Sequence, residues 1–146
     1  MNIRSRFAAA TLVAAFALPV AAQQTKTVGD IVVHMGIMSS IAAEHVDAQH
    51  GVHTGGHGVG MEHIVVALAE TKGGARIGDA EVAIQVKAPK GALQKKAAQP
   101  MLTAGYPDYS EVFEFGWSGK YEVNVLVRRK GAAKPVEAKF IVNRSL

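Results

Sequence analysis

Residues 119–128 read Gly-Lys-Tyr-Glu-Val-Asn-Val-Leu-Val-Arg. Tyr121, Val123, Val125 and Val127 fall on one side of an extended chain, and Glu122, Asn124 and Arg128 on the other. A period of two with one apolar and one polar side is the pattern of a strand with a dry and a wet face. The next run repeats it, with Val136, Ala138, Phe140 and Val142 set against Glu137, Lys139 and Asn143. Upstream, Val82, Ile84 and Val86 mark another strand, and Pro100 to Ala104 and Val112 to Phe115 mark shorter ones. Val28 to Met38 and His63 to Ala69 are rich in β-branched and apolar residues and read as strands too. Turn signals separate the runs: Lys72-Gly73-Gly74, Gly78-Asp79, Ala88-Pro89-Lys90-Gly91, Gly105-Tyr106-Pro107-Asp108, Ser118-Gly119 and Lys130-Gly131.

About seven strands at this spacing predict an all-β, immunoglobulin-like antiparallel β-sandwich. Tyr121, at the start of its strand, is a candidate tyrosine corner, and Phe115 and Trp117 read as packing residues. Residues 1–22 read as a secretory signal peptide, with Arg4 and Arg6 before an Ala-rich apolar run and small residues before Gln23. That leaves residues 23–146 as a single domain, expected in the periplasm and without membrane insertion of the mature protein.

One segment breaks the strand pattern. Residues 39–60, after the first expected strand, contain seven Gly or Ser and four His, and 22 residues is long for a loop in a compact domain. A short helix over Ile41 to Gln49, stopped by Gly51, is one reading of its first part. All six His of the chain lie between His34 and His63, together with Met35, Met38 and Met61. Alternation puts Ile31, Val33, Met35 and Ile37 on the buried side of their strand, leaving His34 and Met38 on the other. Residues 27–71 contain no Lys or Arg but five acidic residues, Asp30, Glu44, Asp47, Glu62 and Glu70, whereas residues 72–146 hold 13 basic and 7 acidic residues.

The mature balance of 14 basic against 12 acidic residues is too even to imply a nucleic-acid partner. The chain has no Cys, which excludes thiolate metal sites, thiol catalysis and disulfides. Imidazole, carboxylate and thioether remain, the first suited to zinc, nickel and copper and the last favouring copper(I). These observations predict a copper ion, with zinc as the alternative, held by His34, His53, His57, Met61 and His63, with His45 and His50 as recruits. Protonation of imidazole is expected to weaken such a site as pH falls through the ordinary His value near about 6.5. No nucleophile elbow, His-Glu-x-x-His or phosphate loop is present, so a non-enzymatic role is expected. The basic triplet Arg128-Arg129-Lys130 reads as the solvated end of a hairpin.

From His63 onward the chain resembles small exported immunoglobulin-like domains of the YtkA-like and FixH-like type, and more distantly CopC-like copper carriers. The resemblance rests on residues 62–68 (EHIVVAL), 74–82 (GARIGDAEV), 119–125 (GKYEVNV) and 135–140 (PVEAKF). It implies periplasmic metal handling or oxidase assembly. CopC-like carriers use an N-terminal His where this mature chain would begin with Gln23, so no family ligand is transferred to a position. Two other roles compete with copper handling. One is a protein-interaction module in envelope or oxidase assembly, with a periplasmic or membrane protein as partner. The other is a pH-responsive module driven by its His cluster.

Overall fold

The structure, a computed structural model, describes residues 23–39 and 60–145. The expected leader over 1–22, the helix considered over Ile41 to Gln49, and His45, His50, His53 and His57 lie outside the described residues. Nine strands are present among the described residues: β1 (Gln24–Val28), β2 (Ile31–Ser39), β3 (Met61–Glu70), β4 (Glu81–Lys87), β5 (Leu93–Ala97), β6 (Gln99–Thr103), β7 (Tyr106–Glu114), β8 (Gly119–Arg128) and β9 (Val136–Arg144). They form two antiparallel sheets, β1-β2-β3-β7-β6 and β5-β4-β8-β9. With β1 set aside, this is the strand arrangement of an immunoglobulin sandwich, in which β3 and β7 are central to one sheet and β4 and β8 to the other.

The core lies between the sheets. Val33 and Met35 of β2, Ile64, Val66 and Leu68 of β3, and Phe113 of β7 meet Ile84 and Val86 of β4, Tyr121, Val123 and Val125 of β8, and Phe140 of β9. Each is removed from water, and burying one such side chain contributes roughly 1.5–3 kcal/mol. The tyrosine corner is formed. The Tyr121 hydroxyl accepts a hydrogen bond from the Trp117 N–H at 2.9 Å and donates one to the Trp117 carbonyl at 3.0 Å. Phe115 is buried against the Tyr121 ring, with centroids 4.6 Å apart. Trp117 is half-exposed and packs under the Lys90 ammonium, 3.5 Å from its ring centroid.

Nine strands replace the expected seven for two reasons. A tight turn at Gly29-Asp30, where Gly29 takes φ +61°, cuts Val28 off from the rest of its run, and Val28 with the preceding residues from Gln24 pairs back on β2 as β1. The His-rich segment therefore follows the second strand. β5 is invisible to an apolar pattern because the residues opposite inward-facing Val86 and Ile84 are Gln94 and Lys96. These two side chains close the open side of the sandwich. Gln94 donates to the Glu114 carbonyl at 2.8 Å and accepts from the Glu114 N–H at 3.0 Å, and the Lys96 ammonium donates to the Val112 carbonyl at 2.6 Å. They satisfy the edge of β7 beyond the end of β6, where no neighbouring strand pairs with it. The opposite side is closed by the Gln24 amide, which donates to the Ile141 carbonyl at 2.7 Å. Tyr106 to Asp108, expected in a turn, belong to β7, because the turn is confined to Ala104 and Gly105, at φ +51° and +83°.

Candidate metal centre

β2 and β3 are neighbours in the five-stranded sheet, and their register sets the geometry where β2 ends and β3 begins. Met38 lies directly opposite His63, and Ile37 opposite Ile64. Since Ile64 is in the core, Met38 and His63 share the outer face. Side chains directly opposite in an antiparallel pair have Cβ atoms about 4.5–5.5 Å apart. Met61, two residues before His63, shares that face and is the diagonal neighbour of Met38. On the far side of β3, Val112 stands opposite His63 and Glu114 opposite Met61. His63 is buried, and Met38 and Met61 are partly buried.

The structure thus brings together two of the expected ligands, Met61 and His63, and adds Met38, which the ligand set had omitted. Alternation alone had placed Met38 outward; only the register shows it facing His63. His34 is on the same face but opposite Ala67, four residues along β2 from Met38. At the rise of an extended chain that is about 13 Å. Its Nδ1 is hydrogen-bonded to Thr25 Oγ1 of β1 at 2.8 Å. Among the described residues no group of three or more His, Asp or Glu is placed to hold a metal ion.

The described carboxylates of the segment lacking Lys and Arg, Asp30, Glu62 and Glu70, are engaged elsewhere. Glu62 points inward, opposite to its neighbours Met61 and His63, and its carboxylate accepts from Arg144 at 2.5 Å between the two sheets. Glu70 pairs with Arg129 at 3.0 Å, and Asp30 with the same guanidinium at 3.6 Å. Arg128 pairs with Glu81. The charge partition of the sequence is therefore in part an attachment of one sheet to the other. Arg128 and Arg129 sit at the end of the β8–β9 hairpin as expected, largely solvated, and carry surface ion pairs. Glu62 and His63 lie on opposite faces of β3.

A separate cleft of about 690 Å³ lies at the other end of the sandwich, lined by Asp79, Glu81, Lys95, Tyr109, Leu126 and Arg128 among others. It contains no imidazole or thioether. The Tyr109 hydroxyl accepts from the Ala80 N–H at 3.0 Å and reaches the Ile77 carbonyl at 3.4 Å. Burial pushes its pKa above the ordinary 10.0, helped by the nearby Asp79 charge and opposed by the bond from Ala80. The folded chain thus keeps this proton to higher pH than the unfolded chain does. Its stabilising contribution is intact below about pH 10 and is lost as pH rises beyond. Urea unfolding between about pH 9 and 11 should show a shallower alkaline loss of stability in Tyr109→Phe than in the wild type.

No protein-family model matches the chain, and a search of curated proteins returns no match. Solved structures do resemble it. FetP of uropathogenic E. coli strain F11, expressed recombinantly in the periplasm of E. coli, aligns with TM-score 0.62 and 11% identity over 83% of this chain and 92% of its own. A copper-bound variant of FetP aligns with TM-score 0.66 and 12% identity over 82% and 93%. Copper-reconstituted P19 of Campylobacter jejuni gives 0.62 and 12% over 84% and 93%. A DUF4426 family protein of Pseudomonas aeruginosa PAO1 gives 0.62 and 20% over 85% and 94%. At these identities the likeness establishes the fold, a sandwich spanning nearly the whole of each neighbour. The YtkA-like and FixH-like names rest on the sequence pieces alone. Among the described residues no helix is long and apolar enough to cross a membrane.

Proposed function

We propose that the chain is a non-catalytic copper-binding protein of the periplasm, exported by residues 1–22 and acting as a carrier or in copper homeostasis through residues 23–146. The observation that carries this reading is the placement of Met38, Met61 and His63 on one face where β2 ends and β3 begins. These are the strands that flank residues 40–59, which hold His45, His50, His53 and His57. The structural likeness to copper-bound FetP and P19 supports copper over zinc, and the sulfur donors favour it independently. In this reading Met61 and His63 supply ligands from the sheet and His53 and His57 from the segment, with His45 and His50 as recruits. His34, about 13 Å along the strand, is too far to share the same ion with His63.

Titration of copper and zinc into the exported protein, against competing chelators, tests this. The wild type should bind copper more tightly than zinc, and His57→Ala with His63→Ala together should weaken copper at least about 100-fold, equivalent to roughly 2.7 kcal/mol. Unchanged stoichiometry and affinity in the double variant would remove the site.

A further inference from the structure

We propose that Met38, Met61 and His63 form a copper(I)-selective centre on the outer face of the five-stranded sheet. This rests on the reading that copper binds at this end of the sandwich, and it goes further by naming the oxidation state and a ligand, Met38, outside the expected set.

The argument starts from register. Met38 and His63 are directly opposite, and Met61 is diagonal to Met38, so two long thioether side chains flank one imidazole on a single face. Diagonal positions are about 7–8 Å apart, which long flexible side chains span. The other two mature methionines are elsewhere. Met35 is buried in the core on the inner face, and Met101 lies on β6, opposite Asp108. The ligand chemistry is soft and uncharged, and thioethers select copper(I).

The surroundings act in the same direction. The outer-facing residues of β2 and β3 are Val32, His34, Gly36 and Met38, and Met61, His63, Val65, Ala67 and Ala69, with no Lys or Arg among them. Val112 flanks His63 from β7. The arginine nearest in sequence register, Arg144, is held by Glu62 on the inner side of the sheet. The three donors are neutral, and on this face the neighbouring carboxylate is Glu114, opposite Met61 on β7 and exposed to water, so little negative charge is held against the donors to offset a divalent ion. The cost of removing an ion from water rises with the square of its charge, so a monovalent ion carries about a quarter of the penalty of a divalent ion of equal size. Neutral sulfur donors and apolar walls therefore both favour copper(I) over copper(II).

The test is an anaerobic competition titration of the exported protein with copper(I) and a copper(I) chelator, beside a copper(II) titration. Wild type is compared with Met38→Leu/Met61→Leu, a swap that keeps side-chain volume. Circular dichroism confirms the fold of the variant. The expected result is a fall of about 100-fold or more in copper(I) affinity, with copper(II) affinity changed by less than about threefold. Equal losses for both ions, or no copper(I) loss, would overturn this centre while leaving copper binding through imidazole standing. Failure of the wild type to bind either ion would overturn both. If the variant does not fold, X-ray absorption of the copper(I)-loaded wild type decides. Sulfur in the copper coordination shell supports the centre, and a shell of nitrogen and oxygen alone rejects it.

Discussion

Arg144→Met should lower the unfolding free energy by about 3 kcal/mol in urea at neutral pH, because it leaves the Glu62 carboxylate inside the sandwich without its counter-charge. The two side chains are only 23% and 11% exposed, so water replaces the lost partner poorly. The Arg144 Nε is buried with no hydrogen-bond partner among the described residues, and the guanidinium lies 5.9 Å from the Phe115 ring centroid. Such a pair is costly to break but adds little beyond an apolar replacement. Glu62→Leu combined with Arg144→Met should therefore return to within about 1 kcal/mol of the wild type. If the single and double variants lose the same stability, the pair is not what holds this end of the sheets together.

Phe115→Ala should cost more, about 3–5 kcal/mol, the range for emptying a phenylalanine site that cannot collapse. Its ring is fully buried against Tyr121, and its N–H donates to the Gly60 carbonyl at 2.7 Å, where β3 begins. Removing the ring takes packing from the tyrosine corner and from beneath Arg144 at once. Phe115→Ala and Arg144→Met should therefore combine non-additively, by about 0.5 kcal/mol or more. Denaturant midpoints of the two single variants and the double variant measure this, and strict additivity would contradict the shared packing.

The sandwich was legible wherever the inner face is apolar. Tyr121, Val123, Val125 and Val127 declare their strand without help from the rest of the chain, and Tyr121 makes the corner its position suggested. β1 and β5 were not legible, because their inner positions include Gln24, Lys26, Gln94 and Lys96. Gln24, Gln94 and Lys96 bond backbone groups across the open sides of the sandwich. A pattern built on burial of apolar area cannot detect strands that close a fold through hydrogen bonds. The charge partition was legible, but its meaning was tertiary. Asp30, Glu62 and Glu70 find their arginines in a distant part of the sequence.

The candidate site divides in the same way. Met61 and His63 share a face by simple alternation, which any extended chain imposes. That Met38 faces His63 depends on how β2 and β3 align across an intervening segment of 21 residues. A shift of one residue in that alignment would have put Met38 against a different partner. His34 was grouped with the others because it is near in sequence, whereas along a strand four residues separate side chains by about 13 Å. His45, His50, His53 and His57 lie outside the described residues, so their part in the site rests on the sequence.

The most direct test of the proposed copper face is methyl NMR of protein labelled at methionine, titrated with silver(I) as a diamagnetic stand-in for copper(I). Residues 23–146 carry four methionines, Met35, Met38, Met61 and Met101. The methyl signals of Met38 and Met61 should shift together and saturate at one equivalent, while those of Met35 and Met101 stay in place. Shifts confined to Met101, or no shift at any of the four with silver bound, would contradict the assignment of this face as the metal centre.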